Sequence, residues 1–322
     1  MFYRCRHLGV TVLSVLLLAV ATPSARAWNA TGHEVVAEIA WRELKPAVRE
    51  KITALLKQHP QYTTYLAPTD VQPDAADYDL RVFMRAAIWP DLIRSGRGRD
   101  REFHHPEWHY VDFPILQANV DVAAAGLPST SDKLEEGKPP ANLLQAFALN
   151  AQRLGTAETP GPDKALALAW IEHLTGDVHQ PLHSCTFVSP DYPKGDRGGN
   201  SFTIKYHGVP TNLHSFWDER LGGYMAWRLV DAVSDKTADK NPRSAFEKEL
   251  AVDKVTDWAQ ESFTLARDVV YDGGKLKGGQ RDAKDNAPEL PDGYDATANE
   301  LARRRTALAG YRLADLLNRL FE

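Results

Sequence analysis

Two histidine–aspartate pairs, each four residues apart, set the tightest condition on how this chain can fold: His173 with Asp177, and His214 with Asp218. Residues at i and i+4 lie one above the other on the same face of an α-helix. On a helix, each pair therefore offers an imidazole nitrogen and a carboxylate oxygen to one ion, a set that suits zinc. A third histidine, His183, follows the first pair just past Gln180-Pro181-Leu182. A single pair is an ordinary surface contact. Two pairs with His183 between them point to helices that converge on a metal cluster.

The first residues read as a segment removed on export. Arg4 and Arg6 make a basic start, Leu8 to Val20 form an uncharged apolar run, and Ala25-Arg26-Ala27 supplies a small-x-small cleavage site. The run is shorter than the roughly 20 apolar residues of a spanning helix, and no later stretch approaches that length. The expectation is a signal peptide over 1–27 and a periplasmic or secreted domain over 28–322, without a membrane anchor after cleavage. Loss of Arg4, Arg6 and Arg26 moves the formal charge from −5 to −8. That balance argues against a protein that coats polyanions with a basic surface. It is compatible with a nuclease whose local positive charge comes from bound metal. Cys5 leaves with the leader, and Cys185 then stands alone, so no internal disulfide is available. Stability must come from the core and from metals that bind the folded state.

Helical periodicity dominates the rest. Thr31-Gly32-His33-Glu34 reads as a capping box ahead of an apolar stripe at Val35, Val36, Ile39, Ala40 and Leu44. Pro46 opens a helix to about Leu56, and another runs from about Tyr78 to Ile88, broken by Trp89-Pro90 before Asp91. Further helices are expected at about 140–154, 163–179, 246–270 and 296–321. Phe202, Ile204 and Tyr206 alternate with Thr203 and Lys205 ahead of His207-Gly208, the pattern of a small hairpin. Polar loops fall at about 95–105, 129–139 and 272–295. The candidate ligands spread from residue 28 to 218 and must meet, so one mainly α domain follows: a helical bundle with a small β-hairpin.

Other potential ligands sit in suggestive settings. Asp91 lies where the helix is expected to stop, His109 lies between Trp108 and Tyr110, and His33 occupies the first turn of the first helix. Together, Trp28, His33, Trp-Pro-Asp91 with Arg94, Trp108-His109-Tyr110, His173-x-x-x-Asp177, Gln180-Pro181-Leu182-His183 and Asn212-Leu213-His214-Ser215-Phe216-Trp217-Asp218 resemble the trinuclear zinc nucleases of the S1/P1 family. The resemblance covers essentially the whole of 28–322, in order and with compatible spacing. It implies the fold shared by zinc phospholipase C and the zinc nucleases, and a ligand set for three Zn2+. Asp91, His109, His173 and Asp177 would hold one ion; His183, His214 and Asp218 a second. The Trp28 amine and carbonyl, His33 and a bridging Asp177 would hold the third. The lack of further cysteines points to a bacterial member.

The resemblance also implies a reaction. Two ions about 3.5–4 Å apart lower the pKa of a shared water towards 7. Asp91 would orient that nucleophile for in-line attack on phosphorus, the 3′ oxygen would leave, and a 5′-phosphate would result. Arg94 would fork onto the phosphoryl oxygens. Tyr110 would stack on a base and Asp112 would read its edge, while Asn200 would bond the phosphate or shape the start of the hairpin. The expected substrates are RNA, single-stranded DNA, duplex DNA to a lesser degree, and nucleotides, acted on by a monomer. A phospholipase C-like phosphodiesterase is the nearest alternative, and an exported zinc-binding protein without catalysis a more distant one. His104, His105, His179 and His207 match no ligand position. Asn29-Ala30-Thr31 is formally a glycosylation acceptor, expected to be unmodified because it adjoins Trp28.

Overall fold

Apolar stripes at helical spacing become helices along most of the chain. The computed structural model describes residues 28–117, 120, 122–223, 225–280 and 286–322; the leader expected over 1–27 lies outside the described residues. The helices are α1 (Ala30–Glu43), α2 (Pro46–Leu56), α3 (Tyr78–Leu92), α4 (Val122–Ala125), α5 (Leu143–Gly155) and α6 (Gly161–His179) in the first part of the chain. After them come α7 (Leu213–Asp218), α8 (Trp227–Lys240), α9 (Glu247–Leu250), α10 (Val255–Leu265) and α11 (Tyr294–Phe321). Among the described residues, two small sheets accompany the helices. β1 (Pro114–Leu116) runs parallel to β2 (Thr186–Val188), and β3 (Thr203–Tyr206) pairs antiparallel with β4 (Val209–Asn212). His207 and Gly208 join β3 to β4 with φ of 52° and 77°, the two positive angles of a type I′ hairpin turn.

Two apolar cores, with a small third cluster of Trp28, Leu221 and Ala302, organise the described residues. The larger gathers α1, α2, α3, α5, α6, α10 and α11 around residues such as Ile39, Phe83, Trp89, Trp170, Leu174, Leu313 and Leu317. The smaller lies under the hairpin and α7, where Phe187, Phe202, Ile204, Phe216, Trp217 and Tyr271 pack together. Helix α6 is buried on every side from Ala167 to His179, the mark of a central helix rather than an amphipathic surface one. Its His173 and Asp177 are therefore polar groups held inside, an arrangement that costs free energy unless they are paired or bind metal.

Three local expectations are corrected. The cap of α1 is Asn29, whose side chain accepts from Gly32 N at 3.1 Å; Thr31 lies inside the helix and donates instead to Gly223 O. Pro90 does not end α3, which continues to Leu92. The lost N–H leaves only one bond unmade, and Trp89 is fully buried in the larger core, so packing outweighs the local penalty. The helix expected over 246–270 is divided: α9 ends at Leu250, α10 begins at Val255, and the segment closes with a π-helical turn at Ala266–Val270.

Candidate metal centre

Six separate parts of the chain deliver the candidate ligands. α1 carries His33 in its first turn, α3 carries Asp91 in its last, and α6 carries His173 and Asp177 on one face. His109 ends a short 3-10 turn (Pro106–His109), and His183 sits in another directly after α6 (Pro181–Ser184). α7 carries His214 and Asp218, and its start is fixed by Asn212, whose side chain accepts from Ser215 N at 2.7 Å. All eight side chains are buried.

Their ligand atoms form three groups, within each of which the atoms lie within 4.8 Å of one another: His33, His173 and Asp177; Asp91, His109 and His173; His183, His214 and Asp218. Asp177 stands at the junction. Its Oδ1 is 3.2 Å from His33 Nε2, and its Oδ2 is 3.0 Å from His109 Nδ1 and 3.2 Å from His173 Nε2. Trp28 is also buried, and Asn29 N reaches Asp218 O at 3.4 Å, which sets residue 28 against the end of α7.

Two features show that this cluster fits a cation. First, imidazole nitrogens face one another: His173 Nε2 and His109 Nδ1 are 3.0 Å apart, and His183 Nε2 and His214 Nε2 are 3.1 Å apart. Three of these rings are already oriented from behind. Backbone carbonyls of Ala87, His109 and Gly198 accept from the Nδ1 of His173, His183 and His214 at 2.8, 2.6 and 2.6 Å. With Nδ1–H donated, Nε2 is left as a bare lone pair aimed inward, as in histidine ligands held by a carbonyl. Second, Asp91 Oδ2 and Asp218 Oδ2 are buried with no hydrogen-bond partner among the described residues, and buried polar atoms are rarely left so.

The electrostatics agree. Burial, reinforced by Arg94, lowers His109 to about 3; burial, reinforced by His183, lowers His214 to about 3. Burial likewise lowers His33 and His183. For Asp177 burial acts upwards, but His173, His183 and His109 outweigh it and hold the carboxyl well below the usual range. For Asp91, burial is outweighed by Arg94 and His173. Burial also opposes a charge on His173, yet Asp177 and Asp91 lift it. Apart from His173, these are neutral imidazoles beside the ionised Asp91 and Asp177, the protonation states that metal binding requires. Asp218 is pushed well up by burial, because its nearest help is Gln180 Nε2 donating to Oδ1 at 2.8 Å, a neutral partner. A divalent ion among His183, His214 and Asp218 would supply the missing countercharge.

Other candidate residues lie around this cluster. Arg94 Nε is 2.7 Å from Asp91 Oδ1 and its Nη2 is 3.3 Å from His109 Nδ1, with 18 % of the side chain exposed. Tyr110 is 39 % exposed, directly after His109. Asp112 is half-buried and raised to about 7 by burial and by Asp196, against Arg197. Asn200 Nδ2 donates to Arg197 O at 2.8 Å within its own turn. His179 lies outside the cluster, fully buried between Thr175 O and Arg312. Both ends of the Asn29 side chain are engaged, with Gly32 N and Gly222 O.

Sequence reasoning missed the residues that shape the cluster without offering ligand atoms. Gln180 holds Asp218, and the Gly198 carbonyl holds His214. Gly198 has φ +58°, and a Cβ there would meet Leu182 O at 2.3 Å. Asp196, which accepts from Phe187 N at 2.9 Å and from Tyr271 Oη at 2.5 Å, anchors that loop. The Gly198-Gly199 pair is the one signal that pointed here.

Comparison with known proteins extends the match over the whole described chain. A family model described as S1/P1 Nuclease matches residues 28–322. Endonuclease 2 of Arabidopsis thaliana is 24 % identical over 98 % of this chain and 97 % of its own length. Nuclease P1 of Penicillium citrinum is 27 % identical over 91 % of this chain and 97 % of its own. Nuclease S1 of Aspergillus oryzae is 30 % identical over 50 % of this chain and 56 % of its own.

Proposed function

The chain belongs to the S1/P1 nuclease family, and from that premise we propose that it is an exported, zinc-dependent endonuclease of RNA and DNA. Single strands are preferred, the products carry 5′-phosphates, and 3′-nucleotidase action on mononucleotides is a second activity of the same site. The observation that carries the reading is the convergence of eight buried histidine and aspartate side chains in three groups, with Arg94 at their edge.

Three Zn2+ ions fit the donor set. Asp91, His109, His173 and Asp177 would hold one; His183, His214 and Asp218 another; Trp28, His33 and Asp177 the third. Bound zinc supplies Lewis acidity towards the phosphoryl group and acidifies the attacking water. The protein's own groups do the positioning. Asp91 Oδ2, buried and without a hydrogen-bond partner among the described residues, accepts a proton from the nucleophilic water and aims it at phosphorus. Arg94 is held against Asp91 and His109 with 18 % of its side chain exposed; from there its guanidinium would donate N–H groups to phosphoryl oxygens. Exposed Tyr110 provides a face for a splayed base, worth roughly 1–3 kcal/mol per stacked base, and Asp112 lies two residues on to bond the base edge. That pairing suits a nucleobase better than a lipid head group, which disfavours the phospholipase C-like alternative.

A signal peptide over 1–27 accounts for export and for a free amine at Trp28. No helix among the described residues is long and apolar enough to cross a membrane. The engaged Asn29 side chain supports an unmodified glycosylation acceptor. Assays of the purified 28–322 protein, as the expected monomer, on RNA, both DNA forms and a choline phospholipid test the reading, alongside zinc analysis. Single-strand cleavage with 5′-phosphate ends and three zinc ions is expected. Turnover of the phospholipid alone, or one or two ions per chain, would overturn it.

A further inference from the structure

The loop between the two edge residues of the site carries a charge pattern that the reaction itself does not use. It leaves the cluster at Arg94 and returns at His109, so both ends are fixed at the metal site. Between them lies a 3-10 turn over Gly98–Glu102. Asp100 faces inward, its two oxygens accepting from Gln61 Nε2 and Tyr65 Oη at 2.8 Å each. Phe103, just beyond the turn, packs against Trp89 with ring centroids 6.0 Å apart. With its acid and its ring tied to the body, the turn presents Arg97, Arg99 and Arg101 outward, all three exposed. No ion pair or side-chain hydrogen bond to a described residue engages them. Glu102 is the one exposed acid of the turn.

The chain as a whole, by contrast, carries a formal charge of −5. Arg42, Arg81, Arg243, Arg304, Arg305 and Arg312 are held in ion pairs, and the exposed Arg153, Arg228 and Arg319, unpaired among the described residues, stand singly, far apart along the chain. Three unpaired guanidinium groups on one anchored turn are laid out for a run of anions. Arg97, Arg99 and Arg101 follow Arg94 by three, five and seven residues, which sets them beside the reacting phosphate rather than on it.

We infer that Arg97, Arg99 and Arg101 form a track for the phosphates of a nucleic-acid strand flanking the scissile bond, so that polymers are gripped beyond the reacting nucleotide. The inference rests on the nuclease reading above. Its consequence is selectivity for length: a polymer reaches the track and a dinucleotide does not. Neutralising single-strand phosphates contributes a salt slope of about −0.7 per contact, so three contacts contribute about −2. At 0.1 M salt, that amounts to as much as a 100-fold difference in polymer binding.

The test compares the wild-type protein, an R97A/R99A/R101A variant and an R97K/R99K/R101K variant. Each is assayed on a long single-stranded DNA and on a dinucleotide, between about 50 and 200 mM salt. For the alanine variant, polymer kcat/KM should fall tenfold or more at about 0.1 M, with its dependence on log salt flatter by about two. Dinucleotide turnover should be unchanged, and the lysine variant should keep the wild-type slope. An unchanged slope in the alanine variant would overturn the inference. So would an equal loss on the dinucleotide, which would make the turn a support for the active site. A wild-type protein that cleaves neither substrate would instead sink the nuclease reading, and the inference with it.

Discussion

Gly176 sits in α6 one residue before Asp177, and a Cβ built there would lie 2.5 Å from His33 Nδ1 and 2.8 Å from its Cε1. Gly176→Ala therefore tests whether the close approach of α1 to α6 exists to place a metal ligand. Carbon contacts settle near 3.5–4.0 Å, so the ring must withdraw by roughly 1 Å. It has little freedom to do so: His33 is fully buried and stacked on His173, centroids 4.0 Å apart and 16° between planes. In stability the effects partly offset. Alanine for glycine inside a helix gains about 1 kcal/mol, whereas overpacking costs about 1–3 kcal/mol. The net loss is about 0–2 kcal/mol, a drop in Tm of no more than about 8 °C. For the metal nothing offsets the shift, because His33 Nε2 leaves its position 3.2 Å from Asp177 Oδ1. Disturbing the shell around a metal ligand costs about 10–100-fold in affinity, and moving the ligand itself costs at least as much. Zinc content after dialysis against a weak chelator should fall from three ions to two, while the metal-free protein still unfolds cooperatively. A variant with three tightly held ions and full activity would refute the reasoning; so would a metal-free variant that no longer folds, since Gly176 would then be a packing requirement.

Four further outcomes are expected. Asp91→Ala should abolish turnover and leave the Tm of the metal-free protein within a few degrees; retained hydrolysis would remove Asp91 from the mechanism. One extra residue ahead of Trp28 should lower activity and zinc content by displacing the amine, and an extended protein with full activity would exclude the terminus as a ligand. Gln180→Leu should weaken the His183–His214–Asp218 site about 10–100-fold, read as a rightward shift when activity is titrated with free zinc. An unshifted curve would mean that Asp218 needs no support from Gln180. Burial raises Asp196 to about 6 from 3.8, so the folded metal-free protein holds a proton there that the unfolded chain releases. That contribution is complete below about pH 4 and is lost as pH rises through about 6, a decline of about 3 kcal/mol. Asp196→Asn should remove this share of the decline in urea melts at pH 4 and 7, and parallel declines in the two proteins would contradict it.

How far the residues themselves revealed the molecule depended on the range of the interaction. His173 and Asp177, and His214 and Asp218, were legible because helical spacing alone puts each pair on one face. Hairpin alternation at Phe202, Ile204 and Tyr206, with a turn at His207-Gly208, was legible for the same local reason. Pro90 misled because the local rule against proline in a helix competes with the burial of Trp89, and burial prevailed. Asn29 rather than Thr31 capped α1 because Thr31 finds its partner at Gly223, nearly two hundred positions away. The break between α9 and α10 carried no strong punctuation in its residues.

By itself, then, the sequence determined which side chains could bind metal and which of them share a helix, since both follow from residue type and short-range periodicity. Only the tertiary structure decided that the two pairs, His33, Asp91, His109 and His183 meet in one buried cluster with Asp177 at its junction. It also decided how they are held: carbonyls of Ala87, His109 and Gly198 behind three rings, Gln180 behind Asp218, and Gly176 making room for His33. Those contacts join residues far apart along the chain, through backbone groups that every residue type carries. No local pattern encodes them; they exist once the core has packed.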